Sequence, residues 1–238
     1  MLVKRFGEEA FESLKRGNFR VGTLAYYRDI EEDERRDSGE GPAPVHFEAS
    51  NGVPRVIEAE EFNRVSGAVG VPFKINAPLK LKLNGPGKLI LDTGLNVFVF
   101  CATKEDGPNP ALDSKFGRRK IFIPDPNAFS DAIANKLFLE VIHARTVKVN
   151  ENANSISHSH GAVAYRPKPA LRPEDITDPR IDLTQVFIKG LGPYEQEMEY
   201  RFMWFPEDNR NNKLCFLPPS LKYLDLNFPE IWNHIEEV

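Results

Sequence analysis

The chain is poor in cysteine. Two thiols in 238 residues, Cys101 and Cys215, do not make a cysteine-ligated metal framework. Both lie in apolar runs, Phe98-Val-Phe-Cys101 and Leu214-Cys-Phe-Leu217, so buried free thiols are expected rather than a disulfide. Long apolar runs are missing as well. No stretch approaches the ~20 apolar residues that cross a bilayer, and none follows the first charges as in a signal peptide. A cytoplasmic protein with no membrane partner is the expectation. Neither charge sign dominates: 31 Lys+Arg against 35 Asp+Glu leave a net charge of −4. That argues against a general nucleic-acid coat protein and still permits a local basic patch. Phosphate-cradling signatures are absent, with no Gly-x-x-x-x-Gly-Lys-Ser/Thr and no Gly-x-Gly-x-x-Gly after a strand. There is no Gly-x-Ser-x-Gly nucleophile elbow either.

What is present describes a soluble globular chain. Apolar residues make up 41% and charged residues 28%, enough for a core of its own. No repeat or clear linker divides the chain, so residues 1–238 read as a single domain. The 19 prolines fall in short clusters, which favours many loops and short strands over long helices. The expected class is α+β, mostly antiparallel sheets with a few short helices.

Periodicity places the elements. Leu2–Phe6 reads as a strand, Glu8–Arg16 as a helix stopped by Gly17, and Phe19–Tyr27 as a strand. Phe47, Val56, Ile57 and Phe62 read as strand anchors. Leu79–Leu83 and Lys88–Leu91 flank Asn84-Gly-Pro-Gly87 and suggest a hairpin. Val97–Cys101 is apolar enough for a central strand. Lys104–Arg118 reads as loop and Arg119–Ile123 as strand. Asp125-Pro126 opens a helix running through Phe138. Leu139–Val149 reads as strand, Ser155–Gly161 as a polar turn and Ala162–Tyr165 as a short strand. Gln185–Lys189, Glu197–Phe205 and Lys213–Leu217 complete the strands, and Phe228–Ile235 suggests a final helix.

Residues 194–202, Tyr-Glu-Gln-Glu-Met-Glu-Tyr-Arg-Phe, hold the densest signal. Met198, Tyr200 and Phe202 alternate with Glu197, Glu199 and Arg201, so a strand would turn the charges to one face. The two carboxylates would stand roughly 7 Å apart at ~3.3 Å of rise per residue. Arg201 would relieve their repulsion, and a cationic ligand would relieve it further. The alternative is an ordinary half-buried strand with a solvated, salt-bridged face.

Two other constellations are chemically suggestive. His158-Ser-His160, with His143 elsewhere, is either a metal site or a polar surface loop. The charged run from Tyr26-Tyr-Arg28 to Gly39-Glu-Gly41 follows an apolar strand. On a helix from Tyr27, the residues Tyr27, Glu31 and Arg35 would stack at i, i+4 spacing. This run is either a solvated helix or a cleft-lining one. Aromatic rings beside arginine suit adenine stacking and diphosphate binding.

The order of elements, with Gly22-Thr-Leu-x-Tyr-Tyr-Arg28, Val97-Phe-Val-Phe-Cys-Ala-Thr103 and Tyr194-x-x-Glu197-x-Glu199-Tyr-Arg201, resembles a bacterial and phage family with an ADP-ribosyltransferase-like fold. That family is distantly similar to toxin and antiphage ADP-ribosyltransferases. The resemblance implies NAD as substrate, cleaved with transfer of ADP-ribose to a protein, a nucleic acid or water. It implies that Glu199 stabilises the oxocarbenium-like ribose and that Glu197 activates the acceptor, with Tyr27 at the same catalytic site. Lys4 or Arg5, Arg28, Thr103 and Arg201 would hold the dinucleotide. Cys101-Ala-Thr103 stands where many members carry Ser-Thr-Ser, and the first strand carries no histidine. A non-catalytic nucleotide- or nucleic-acid-binding module using Tyr26, Tyr27, Arg28, Arg35 and Arg36 is the competing expectation, and a phage structural or inhibitory protein acting by surface contact is a third.

Overall fold

The structure is a computed structural model that describes residues 1–30, 45–50, 53–68, 74–84, 86–91, 96–167, 171–176, 185–189, 197–211 and 213–238. Glu31, Arg35, Arg36, Gly39–Gly41 and Tyr194 lie outside the described residues, and side-chain description of the first helical run stops at Tyr27.

In chain order the first elements are β1 (Leu2–Phe6), α1 (Glu8–Lys15), β2 (Asn18–Thr23), α2 (Leu24–Ile30), β3 (Val45–Ala49), β4 (Arg55–Glu58) and α3 (Ala59–Ala68). Next come β5 (Lys80–Leu83), β6 (Gly87–Leu91), β7 (Phe98–Lys104), α4 (Pro110–Phe116), β8 (Arg119–Phe122), α5 (Pro126–Leu137) and β9 (Ser155–Ala162). The chain finishes with β10 (Ala164–Tyr165), β11 (Ile188–Lys189), β12 (Glu199–Asp208), β13 (Lys213–Leu214), β14 (Tyr223–Asn227) and β15 (Glu236–Glu237). The class is α+β, as expected.

A nine-stranded antiparallel sheet organises the described residues, in the order β13-β12-β7-β1-β8-β15, with β9 also paired to β12 and β2 joining β7 to β14. β7 and β12 are central because their apolar side chains are covered on both faces. On one face Phe98, Phe100, Phe202 and Trp204 pack under α1, α5 and the short C-terminal turn, with Phe11, Phe19, Phe129 and Ile231. Phe129 stands 4.9 Å from Phe202 and 5.5 Å from Phe100, ring centroid to ring centroid. The Phe129–Phe202 pair is edge-to-face, a contact that adds to plain apolar burial. On the other face Val97, Val99, Met203 and Phe205 pack with Leu24, Val186 and Leu214. A separate cluster inside β3–β6 and α3 holds Phe47, Ile57, Phe62 and Val65.

Local chemistry explains the ends. Asp125 accepts from the backbone of Asn127 and Ala128 at the start of α5, with Pro126 in its first turn. Gly17 takes φ +84°, a conformation that favours glycine, after α1.

Several expectations need correction. Ser155–Gly161 is not a turn but strand β9, paired with β12 over eight residues. Its serines and glycine carry no apolar signal of their own, since β12 supplies the ladder. Leu139–Val149 is not a strand: α5 widens into a π-helical turn over Phe138–His143, which buries Val141. The expected hairpin does not form, because β5 pairs with β4 and β6 with β3. Phe62 sits on α3 rather than a strand. Lys104–Arg118 contains α4, which Asn109 caps ahead of Pro110. The strand expected to reach Tyr27 ends at Thr23, where α2 begins. The last expected helix is a short 3-10 turn, Pro229–Asn233, and β14 went unanticipated.

Candidate functional site

β12 does not display its charges to water. Arg201 is 1% exposed and Glu199 7%. Directly paired residues in a ladder share a face, so Glu199 stands beside Thr103 and Arg201 beside Cys101. The solvated-face alternative is therefore excluded for these two residues. Met198 is not a core anchor: it takes φ +45° and is 48% exposed, and the regular strand starts only at Glu199. The buried apolar face is carried by Phe202 and Trp204, with Tyr200 half-buried at its edge.

Glu199 is gripped from several sides. Arg201 Nε donates to Oε1 at 2.6 Å and Nη2 to Oε2 at 3.3 Å, while Nη1 donates to the Val186 carbonyl at 2.6 Å. Lys189 Nζ stands 3.0 Å from Glu199 Oε2 and 3.6 Å from Glu197 Oε2. Lys115, on α4, closes the row at 2.5 Å from Glu197 Oε1. The two carboxylates thus converge on one shared lysine instead of lining up along a strand face. Burial alone would raise the Glu199 carboxyl. The charges of Arg201 and Lys189, with hydrogen bonds from Arg201 and Cys101, outweigh it and hold the group far below the usual carboxylate range. Tyr165 accepts from the Glu199 backbone N–H at 3.1 Å, and its phenol is pushed up chiefly by burial.

A second ion network lies on the same face. Arg5 pairs with Glu105 and, through Nε, with Asp113 Oδ1 at 2.8 Å; Lys120 also holds Asp113. Asp113 and Lys115 both sit on α4, so this helix ties β1 to the chain entering β12. Arg5 is 4% exposed, and its Nη2 has no hydrogen-bond partner among the described residues. Tyr27 packs with Cys101 against the Val99–Met203 cluster, which also places it on this face. A cavity of about 220 Å³ opens beside Thr103, lined by Glu105, Asn109, Leu112 and Met198 among others.

The structure therefore brings together Glu197, Glu199, Arg201, Thr103 and, farther along the same face, Arg5 and Tyr27. Lys4 is a correction. Ladder register puts it with Ile121 and over the Phe100 ring at 5.3 Å, on the opposite face from Glu199. Sequence reasoning missed Lys115 and Lys189 as partners of the carboxylates. The Asn109-Pro110 helix start could have pointed to Lys115.

The histidines have other partners. His158 Nδ1 meets Ser130 Oγ at 3.0 Å and its Nε2 stands 2.8 Å from Asp131. Ser130 is 0% exposed, so this Ser-His-Asp contact ties β9 to α5 and offers no nucleophile. Among the described residues no set of three or more His, Cys, Asp or Glu side chains is placed to hold a metal ion. No helix among them is long and apolar enough to cross a membrane.

Comparison with known protein families, with curated proteins and with solved structures finds no match to this chain.

Proposed function

We propose that the face carrying Glu199 binds NAD and cleaves its nicotinamide–ribose bond, as an ADP-ribosyltransferase or NAD glycohydrolase of toxin or phage-conflict type acting in the cytoplasm. One observation carries this reading. An ionised carboxylate and a buried guanidinium nitrogen with no hydrogen-bond partner among the described residues share one sheet face. Loss of nicotinamide leaves positive charge on the ribose, and a preorganised carboxylate lowers the cost of that charge. An unpaired guanidinium donor suits a diphosphate oxygen. Thr103, beside Glu199, would donate a hydroxyl to the same ligand, and Glu197 would activate the acceptor. Tyr27, on the same face, would line the same site, and the Arg28 side chain lies outside the described residues.

A second reading, nucleotide binding without turnover, is favoured by a specific fact: both Glu199 oxygens already have cationic partners. Titration calorimetry with NAD and an assay for released nicotinamide separate the two. Turnover lost in Thr103→Val and Glu199→Gln, with melting temperature monitored, supports the enzyme. Binding without nicotinamide release supports the module. Absence of both binding and release defeats each of them.

A further inference from the structure

The far end of β12 carries a cavity that the Glu199 face does not use. Glu199 opens β12 and Asp208 closes it, so about 30 Å of strand separates the two ends at ~3.3 Å per residue. The cavity holds about 380 Å³, within the range of small-molecule sites, and Phe138, Ile142, His143, Arg145, Asn152 and Arg210 are among its lining. Hydrogen-bonded turns build it. The π turn after α5 sets Phe138, Ile142 and His143, four and five residues apart, along one wall. Arg145 follows at φ +53°, between an Ala144 N–H that donates to the Leu139 carbonyl and a Thr146 whose N–H and hydroxyl both donate to the Glu140 carbonyl. Arg210 sits on the turn after β12, where Asp208 accepts from the Arg210 N–H at 3.1 Å and from Asn211 Nδ2 at 2.7 Å. Asn154 joins that turn to its own by accepting from the Asn209 N–H at 3.1 Å.

The lining is cationic, and its charges are unspent. Neither the Arg145 nor the Arg210 side chain makes a hydrogen bond or ion pair with a described residue. The charge of Arg210 reaches Asp208, but both oxygens of that carboxylate already accept from the turn. Glu151 is the one carboxylate in the lining among the described residues, so the cavity is net positive. A non-glycine residue at positive φ is uncommon and strained. Here the strained residue is an arginine whose charge has no partner in the described chain. Phe138 is 37% exposed, a large ring left on a cavity wall.

We propose that this cavity is a second binding site, for a small phosphomonoester with a planar ring, of the nucleoside monophosphate class. Arg145 and Arg210 hold the phosphate, with the His143 imidazole as a further donor. Phe138 and Ile142 cover the ring. The Asn152 and Glu151 side chains have no partner among the described residues, and they meet the polar ring edge and the sugar hydroxyls. Two guanidiniums are enough for one phosphate and few for a nucleic-acid track.

The experiment is titration calorimetry of the intact chain with adenosine and uridine 5′-monophosphates, inorganic phosphate, adenosine and a single-stranded oligonucleotide. A nucleoside monophosphate is expected to bind, with inorganic phosphate and adenosine each weaker by about tenfold or more. Arg210→Gln and Arg145→Gly are each expected to weaken nucleotide binding about tenfold or more, the loss of a charge-assisted hydrogen bond. Glycine suits φ +53°, so the melting temperature of Arg145→Gly should hold or rise while binding falls. Thr103→Val, at the other end of β12, should leave this affinity unchanged, which separates the site from NAD binding beside Glu199. No binding of either nucleotide at millimolar concentration overturns the proposal, as does affinity unchanged in both arginine variants or lost in Thr103→Val. Phosphate bound as tightly as the nucleotides, or oligonucleotide bound without them, overturns it too.

Discussion

Replacing Arg201 by Met tests the buried network most directly. The guanidinium is 2% exposed and the Glu199 carboxylate 8%. Methionine fills much of the volume but withdraws, among the described residues, two hydrogen bonds to Glu199 and one to the Val186 carbonyl. Lys189 remains, so the carboxylate is not stripped of every partner. Breaking a buried pair from one side costs about 3–5 kcal/mol. For a domain of this size that lowers the melting temperature by about 6–20 °C, at about 2–4 °C per kcal/mol. Urea unfolding at neutral pH measures it, with Glu199→Gln and the double variant completing the cycle. The two single losses should exceed the double loss by about 1–3 kcal/mol, as for residues in direct contact. Acid should weaken the effect. The folded Glu199 carboxyl lies far below its ordinary 4.5, so its contribution is fully present above that value and is lost as pH falls. The gap between wild type and Glu199→Gln therefore holds from neutral pH to about 5 and narrows below it. A cost under about 1 kcal/mol for Arg201→Met, the range of an exposed ion pair, would refute the reasoning.

Other outcomes follow from single positions. Gly117 takes φ +108°, and a Cβ there would sit 2.1 Å from the Phe6 carbonyl oxygen. Gly117→Ala should cost at least about 1–3 kcal/mol from backbone strain alone. Gly7→Ala meets nothing within 4 Å and should be near neutral by the same thermal melt. Both cysteines are free, and Cys215 is buried with its thiol pushed up chiefly by burial. A thiol-reactive dye at neutral pH should leave Cys215 unmodified in the folded protein and titrate two thiols in urea; rapid folded-state labelling of Cys215 would count against its burial.

The class of fold was readable wherever an element carried its own apolar period. β1, α1, β7 and α5 did, and Asp125-Pro126 announced α5 with a cap and a helix-ready proline. β9 did not, because its backbone pairs with a strand some forty residues on and its serines and histidines gain partners only in the folded chain. The Asn84–Gly87 turn was legible as a turn, yet which strands its neighbours joined depended on β3 and β4, far upstream. The site was half legible. Alternation announced that Glu199 and Arg201 share a face, but burial of that face comes from residues 185–189, a short segment whose local pattern gives no hint of where it packs.

Glu199 lies between two cations, and NAD cleavage on this face would require one of them to yield. Arg201 holds both oxygens with a planar fork and also satisfies the Val186 carbonyl, so displacing it would leave a buried carbonyl without its donor. Lys189 offers a compact ammonium on a flexible stem, and Glu197 already stands 3.6 Å away as an alternative partner. A ribose hydroxyl could take its place at Glu199 Oε2 while the lysine shifted toward Glu197 and stayed paired. Arg201 would meanwhile keep the Glu199 carboxylate ionised and fixed. The lysine that makes two neighbouring carboxylates compatible in the fold is thus the group whose small displacement would admit a substrate, and its cost stays low only while Glu197 remains beside it.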